Sequence, residues 1–253
     1  FSSTLVRARL AGERFVEART LFTALPRATT GRHFGCRLAI GPDGLLYMSL
    51  GDRGRMERAQ DLSDHNGSLL RLTLDGGVPP DNPFVGRTDA RPEIWSWGHR
   101  NIQGLAVRPG TGQLWLHEHG AQGGDEVNLV RRGANYGWPR VTHGVDYGGA
   151  EITPHRSLPG MEDPIHVWVP SIAPSGMVFY QGDAFPGWRG NLLVGALGGR
   201  RLVRLTLEGD RVVGEERIPV HGERIRDVRV GPDGRVHLLT DSPRGAIWRL
   251  DPA

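Results

Sequence analysis

Residues 231–250, GPDGRVHLLTDSPRGAIWRL, decide the fold that we predict for this chain. Proline presets φ at the second position of a turn and glycine supplies positive φ, so Pro232-Asp233-Gly234 predicts a tight turn. Apolar and polar residues alternate after this turn, and again around Arg249 beyond the loop SPRG. Alternation with a period of two between turn residues is typical of β-strands. The segment therefore predicts two strands joined by a loop.

The same pattern recurs along the chain. Turn signals precede apolar stretches at GPDG before LLYMSL and at RPG before QLWLHE. An arginine within an apolar stretch marks four strand-like segments: residues 4–10, 69–74, 202–207 and, within the segment already quoted, 246–250. Repeated strand pairs between long insertions, here residues 75–92 and 142–166, predict an all-β fold of the β-propeller type with functional loops on one face. A β-sandwich is the alternative, and residues 57–63 are expected to hold at most one turn of helix.

Length and composition agree with this prediction. The chain has 253 residues with 37 glycines and 18 prolines, which favours many tight turns over long helices. We expect a single domain over residues 1–253. At about 40 residues per blade, this length corresponds to four or five blades. Because Phe1 stands inside a strand pattern, we also expect that an amino-terminal part of the propeller, with any signal peptide, lies outside this sequence.

Several classes of protein are disfavoured. The net charge is +3, but the arginines are spread singly, which argues against a nucleic-acid partner. No apolar stretch reaches 18 residues, so we expect no membrane span. The single Cys36 excludes an internal disulfide and a cysteine-based zinc site. The motifs of P-loop nucleotide binding, zinc proteases, serine hydrolases and CxxC redox proteins are absent.

Residues 94–128, IWSWGHRNIQGLAVRPGTGQLWLHEHGAQGGDEVN, are the predicted centre of the functional site. Arg100 offers a fixed fork of donors suited to carboxylates or a quinone oxygen. One hairpin later, the glycine-rich loop of residues 120–126 offers backbone carbonyls and Glu126, which suit a hard cation such as calcium, although a plain turn is the alternative. One anionic ligand that carries its own metal would use both.

Other candidate residues stand outside this segment or at its end. His33 enters a strand from a turn and is a candidate general base, with a structural or exposed histidine as the alternative. His117 and His119 flank Glu118 as a possible metal pair, but the lack of a nearby third ligand favours a polar strand face.

Arg224 and Arg226 put two guanidinium groups on one side of a strand. Since they would repel each other, an anion, or the neighbouring Glu223 and Asp227, is expected to lie against them.

Six motifs in a fixed order carry a resemblance to a known family. They are HFGCRLAIGPDGLLYMSLGDRG, DGGVPPDNPF, WSWGHRNIQGLA, EHGAQGGDEVNLVRRGANYGWP, VPSIAPSGMVFY and RIRDVRVGPDG. Over nearly its whole length the chain resembles the soluble quinoprotein sugar dehydrogenases, the PQQ-dependent glucose and aldose sugar dehydrogenase family, and is closer to the bacterial aldose branch.

The resemblance implies a six-bladed β-propeller that binds pyrroloquinoline quinone (PQQ) and calcium. It implies oxidation of an aldose at C1 to the lactone, with hydride transfer to the quinone and electrons passed to an external acceptor. It further implies a periplasmic or secreted protein, either monomeric or homodimeric.

The resemblance also implies roles for individual residues. His33 stands where the family has its base, and Arg100 and Asn101 stand where it contacts the cofactor, with Arg100 placed to stabilise negative charge on a quinone oxygen. The other implied assignments are Gly120 and Ala121 as carbonyl ligands of the cofactor's calcium, Glu126 and Tyr136 at a second calcium, Tyr147 and Trp168 in the cofactor or sugar pocket, and Arg224 and Arg226 at the cofactor's carboxylates and ring.

Three departures from the family pattern bear on the site. Gly198 stands where many members have a lysine, so a cofactor cation is either absent or supplied by Arg200. Arg32 precedes His33 where the glucose-specific branch has an aspartate. A cofactor-contacting glutamine is expected upstream of Phe1. A calcium-dependent propeller lactonase and a non-catalytic sugar- or protein-binding propeller therefore remain as alternatives.

Overall fold

The computed structural model describes residues 1–252, and their regular structure consists almost entirely of antiparallel strands. Two 3-10 turns, Met56–Gln60 and Pro186–Trp188, are the helical elements in this range. The first confirms the single turn of helix expected near residues 57–63. No helix in this part of the chain has the length and hydropathy needed to cross a membrane.

The chain divides into two compact units. Unit 1 comprises Phe1–Asn101, Arg131–Pro139 and Pro159–Glu162. Unit 2 comprises Ile102–Val130, Arg140–Leu158 and the chain from Asp163 onward. The expectation of a single domain stays a prediction, and each unit is described by itself.

Unit 1 contains two sheets of consecutive strands. A two-stranded sheet pairs β1 (Thr4–Ala11) with β2 (Arg14–Thr23). A four-stranded sheet follows in the order β3 (Leu38–Ile40), β4 (Leu46–Ser49), β5 (Ser68–Leu72) and β6 (Ile94–Trp97). One hydrophobic cluster is formed by Leu5, Ala24, Leu46, Met48, Leu50, Leu70, Leu72, Phe84, Ala90 and Ile94. The alternating apolar residues thus bury one continuous core.

Unit 2 contains three sheets. The first has the strands β7 (Ile102–Val107), β8 (Leu114–Glu118), β9 (Asp125–Leu129) and β10 (His166–Trp168). The second has β11 (Pro174–Phe179), β12 (Leu192–Ala196), β13 (Arg201–Glu208) and β14 (Arg211–Pro219). The third has β15 (Ile225–Val230), β16 (Val236–Thr240) and β17 (Ile247–Leu250). In every sheet the strands pair in chain order, which is how the blades of a propeller are built.

Two of the turns between these strands agree with the Pro-Asp-Gly signals in the sequence. Gly44 lies at φ 73° and donates its N–H to the Gly41 carbonyl at 3.0 Å, which closes the turn from β3 to β4. Gly234 lies at φ 74° and donates to Gly231 at the same distance between β15 and β16. Both PDG corners are therefore confirmed.

Arg71 shows how one of these arginines is accommodated inside an apolar strand. Its side chain is buried in β5, and its guanidinium pairs with Asp43 at 2.9 Å and with Asp81 at 2.9 Å. The same group lies 4.6 Å from the centre of the Trp95 ring. Burial alone would raise the pKa of Asp43, but hydrogen bonds from the Leu45 N–H, Arg71 and Tyr47 lower it. A fully partnered guanidinium is thus part of the blade.

Candidate active site

His33 is held by a buried carboxylate in unit 1. Its Nδ1 lies 2.6 Å from Oδ1 of Asp52, whose side chain is 1% exposed. Asp52 also accepts the Gly54 N–H at 2.7 Å and the Trp138 indole N–H at 2.8 Å. Since every one of these contacts offers the carboxylate a hydrogen, Nδ1 of His33 carries the proton.

This arrangement prepares His33 to act as a base. With the proton fixed on Nδ1, the lone pair of Nε2 is available to a substrate hydroxyl. The imidazolium that forms on proton uptake would be stabilised by Asp52, as a buried carboxylate does for a catalytic histidine. The His33 side chain is 17% exposed, so it is reachable while remaining fixed.

Arg100 belongs to the same cluster. Its carbonyl accepts the Asp52 N–H at 2.8 Å. Its guanidinium lies 5.4 Å from the ring centre of Trp138, the residue whose indole donates to Asp52. Within unit 1, Arg100 thus contacts Asp52 through its backbone and Trp138 through its side chain.

Asn101 completes this group through close backbone packing. Its Oδ1 accepts the Gly35 N–H at 3.2 Å. A Cβ on Gly51 would lie 2.2 Å from the His33 carbonyl oxygen and 2.9 Å from Oδ1 of Asn101, so only glycine fits between them. The structure thus places His33, Arg100 and Asn101 in one group within unit 1, and their roles at a cofactor stay predictions.

Tyr136 is also buried in unit 1. Its ring stacks on His99 with centres 4.5 Å apart, and its hydroxyl accepts the Arg131 N–H at 2.9 Å. Its role at a calcium ion stays a prediction.

In unit 2, Glu126 faces Glu118 across the β8–β9 pair. Both side chains are buried, and the Asn128 amide Nδ2 lies 3.3 Å from Glu126 Oε2 and 3.5 Å from Glu118 Oε1. Burial raises the pKa of Glu126 well above its usual value, and the charge of Glu118 raises it further. Opposed carboxylates in a buried sheet require a proton or a cation between them.

This donor set fits a hard cation such as calcium. The buried Oδ1 of Asn128 has no hydrogen-bond partner, and it adds a neutral oxygen to two carboxylates. Within residues 1–252, no three His, Cys, Asp or Glu side chains are grouped to hold a metal ion. A cation here would therefore also need amide or backbone oxygens.

His117 and His119 are not arranged as a metal pair. His117 is wholly buried, against Gly104, where a Cβ would lie 2.1 Å from its Nε2. Nε2 of His119 lies 2.7 Å from the Pro174 carbonyl oxygen, to which it donates. The structure favours the alternative, in which these side chains belong to a polar strand face. His117 is buried on that face.

The arginine pair lies against a different carboxylate from those expected. Arg224 Nε lies 2.9 Å from Asp241 Oδ2, and Arg226 Nη2 lies 3.1 Å from Asp241 Oδ1. Predicting the adjacent Glu223 and Asp227 as partners was wrong. Arg226 and Asp227 are successive residues of β15 and point to opposite faces, and Asp227 pairs with Arg229 at 2.9 Å. Asp241 follows Thr240, which pairs with Ile225 across the sheet.

One carboxylate for two guanidinium groups leaves a positive charge at this point. The Arg224 and Arg226 side chains are 43% and 42% exposed, so an anion can reach them. This fits a ligand that carries several carboxylates, such as PQQ.

Three further predicted residues, Arg200, Tyr147 and Trp168, also lie in unit 2. Arg200 is exposed and donates from Nη1 to the Gly222 carbonyl at 3.1 Å. Tyr147 is 70% exposed. Trp168 is buried in a hydrophobic cluster, and its indole donates to Glu215 at 3.1 Å. The roles of these three residues at a cofactor or sugar stay predictions.

Sequence reasoning missed Asp52, Trp138 and Asp241. Each of the two aspartates follows an apolar strand directly or after two residues, in LYMSLGD and HLLTD. An acidic residue at the end of a buried strand is the signal that could have marked them. Trp138 carries no such signal, because its partner lies 86 residues away.

Comparisons with known proteins give the family. The family model for glucose/sorbosone dehydrogenase matches residues 2–249. An aldose sugar dehydrogenase of Escherichia coli strain K12, YliI, is 43% identical over 242 residues, 94% of this chain. The chain spans 65% of that relative's length.

Solved structures give the fold. A crystal structure of a glucose dehydrogenase superposes with a TM-score of 0.96 at 45% identity, covering 99% of this chain and 74% of that one. The PQQ-bound form of an aldose sugar dehydrogenase from Streptomyces coelicolor has a TM-score of 0.76 at 30% identity, covering 97% of this chain and 71% of that one. The predicted β-propeller class is confirmed.

Proposed function

The chain belongs to the glucose/sorbosone dehydrogenase family, and we propose that the protein is a PQQ- and calcium-dependent aldose sugar dehydrogenase. The reaction is oxidation of the sugar at C1 to the lactone, with electrons passed to an external acceptor. The observation that carries this proposal is the 2.6 Å contact between His33 and Asp52, beside Arg100.

His33 is the base. Its Nε2 takes the proton of the C1 hydroxyl, while Asp52 holds the imidazole in the required tautomer and stabilises its positive charge. PQQ, when bound, supplies the quinone that accepts the hydride from C1. Arg100 stabilises negative charge that develops on a quinone oxygen, and Asn101 contacts the cofactor.

Arg224 and Arg226 bind the carboxylates and ring of the cofactor. Support comes from their exposed guanidinium groups, which share the single carboxylate of Asp241, and from the PQQ bound by the Streptomyces coelicolor dehydrogenase. Arg200 supplies the cation that many family members take from a lysine at the position of Gly198. Tyr147 and Trp168 contribute to the cofactor or sugar pocket.

Calcium takes two places in this proposal. The Gly120 and Ala121 carbonyls hold the ion that accompanies the cofactor and acts as a Lewis acid toward it. Glu126 and Tyr136 belong to a second, structural ion. The buried carboxylates of Glu126 and Glu118 support a cation in unit 2. We further propose that the protein is periplasmic or secreted, as a monomer or homodimer.

Reconstitution tests the proposed function. The whole protein, supplied with PQQ and calcium, is expected to reduce a redox dye with at least one aldose and to release the lactone. Omission of PQQ or chelation of calcium should abolish dye reduction. Absence of dye reduction with every aldose of a broad panel would overturn the proposal and favour a hydrolase or a binding module.

A further inference from the structure

Asp125 is a wholly buried carboxylate that receives four hydrogen bonds in unit 2. Its Oδ1 accepts the Gly120 N–H at 2.9 Å. Its Oδ2 accepts the Ser171 hydroxyl at 2.6 Å and the N–H groups of Ile172 and Ala173 at 2.8 and 2.9 Å. None of these donors is a cation, so the charge is stabilised by backbone and hydroxyl dipoles alone.

The hydrogen bond from the Gly120 N–H to Asp125 joins the two ends of a loop. Residues 120–125 leave β8 and return to β9, and the Asp125 side chain joins their two ends. Inside the loop, a Cβ on Gly120 would lie 2.1 Å from the Gly123 carbonyl oxygen, so the backbone is packed against itself. Gly124 donates to the Trp168 carbonyl at 2.9 Å.

The other oxygen of Asp125 extends this connection to a second turn. The Ile172 carbonyl accepts the Gly198 N–H at 2.9 Å, and the Ala173 carbonyl accepts the Leu197 N–H at 3.0 Å. One carboxylate therefore links the loop of residues 120–125, through residues 171–173, to the turn after β12. That turn leads to Arg200.

We propose that Asp125 is a positioning residue that fixes the Gly120 and Ala121 carbonyls for cation binding and does not bind the cation itself. The inference rests on the proposed function, since those carbonyls are the proposed ligands of the cofactor's calcium. Three hydrogen bonds engage Oδ2 and the fourth directs Oδ1 at the Gly120 N–H, so the carboxylate holds the backbone of the loop and of the turn. Replacing a residue that orients metal ligands through hydrogen bonds typically lowers metal affinity about 10–100-fold.

The variant Asp125→Asn tests the contacts of the two carboxylate oxygens separately. The amide has one acceptor oxygen, and placing it toward Ser171, Ile172 and Ala173 keeps three bonds. The amide NH2 then faces the Gly120 N–H, where no bond can form. The variant should release Gly120 and retain the other contacts.

The test measures amide hydrogen exchange, and PQQ binding at one fixed calcium concentration below saturation, using the whole protein. In Asp125→Asn, exchange at Gly120 should accelerate while Ile172 and Ala173 stay protected, and the Kd for PQQ should rise about tenfold or more. The control is Asp64→Asn, a buried aspartate that accepts the Asn66 N–H at 2.8 Å in unit 1. It should leave PQQ binding unchanged.

Equal PQQ affinity in Asp125→Asn and the wild type, or equal weakening in Asp64→Asn, would overturn the inference. If Asp125→Asn does not fold, Ser171→Ala removes the hydroxyl that donates to Oδ2 and that also accepts the Ala173 N–H at 3.1 Å, and it should raise the Kd about fivefold. An unchanged Kd in that variant would also overturn it. A wild type that binds no PQQ would instead refute the proposed function, and exchange at Gly120 alone would then decide whether Asp125 fixes the loop.

Discussion

Nδ1 of His33 and Oδ1 of Asp52 lie 2.6 Å apart, and this contact fixes the orientation of the imidazole with Nδ1 toward the carboxylate. Asp52 is itself fixed by the Gly54 N–H and the Trp138 indole. The base and its orienting carboxylate are thus complete within unit 1.

Replacing either residue should reduce turnover. We expect His33→Ala and Asp52→Asn each to lower kcat about 10²-fold or more, because the first removes the base and the second removes the acceptor that fixes its tautomer. Steady-state dye reduction at saturating aldose, PQQ and calcium measures this effect. His166→Gln is the matched control, since it breaks another imidazole–carboxylate contact, with Glu215 at 2.9 Å. Wild-type kcat in His33→Ala would remove His33 from the mechanism.

The arginine pair should determine affinity for the cofactor. We expect Arg224→Ala and Arg226→Ala each to weaken PQQ binding about 10–100-fold, because each removes a charge-assisted hydrogen bond. Their effects should not be additive, since both groups share Asp241. Calorimetric titration with PQQ gives the Kd. Arg229→Ala, in the same strand but paired with Asp227, should bind as the wild type does. Equal loss in that control would indicate a nonspecific charge effect.

Glu126 should make the calcium-free protein less stable as pH rises. Its pKa in the folded state is raised above the ordinary 4.5, so folding favours the protonated form. The free energy of unfolding should therefore fall as pH rises from the unfolded-state pKa toward the folded-state pKa. We expect urea unfolding in chelator to show that the stability of Glu126→Gln, relative to that of the wild type, is higher at about pH 8 than at about pH 5.

Calcium should remove this difference. It stabilises the wild type increasingly as pH rises, because binding requires the deprotonated carboxylate. Parallel pH profiles for the wild type and Glu126→Gln in chelator would contradict a cation or shared proton between Glu126 and Glu118.

Arg71 should contribute to stability without contributing to catalysis. Arg71→Met is expected to lower the free energy of unfolding by about 1.5–3 kcal/mol, since it removes the charge-assisted hydrogen bond from this buried guanidinium to Asp43. Arg87→Met, which removes an exposed ion pair with Asp89, should leave the free energy of unfolding almost unchanged. Urea denaturation compares the two. A loss in Arg71→Met no larger than in Arg87→Met would refute its structural role.

The strands and turns were predictable because their signals are local. Alternating apolar residues and the two PDG corners fall within a few residues of the strands that they predict, such as Val236–Thr240. The ordered motifs predicted the family and placed His33, Arg100 and Asn101 in one site, because a motif reports on packing that its relatives share.

The partners of these residues depend on packing between distant segments. Asp52 is 19 residues from His33 and 86 from Trp138, and no local pattern joins them. The pairing of Arg224 with Asp241 follows from the register of β15 against β16, which the sequence leaves open. Neighbours along the strand were the wrong partners for this reason.

Binding of PQQ to the protein tests the central claim most directly. In a titration with PQQ in excess calcium, followed by the absorbance of the quinone, we predict saturable binding of one PQQ per chain that is lost on chelation of calcium and weakened in Arg226→Ala. No change in the absorbance of PQQ at any protein concentration, with or without calcium, would contradict the assignment of this propeller as a quinoprotein dehydrogenase.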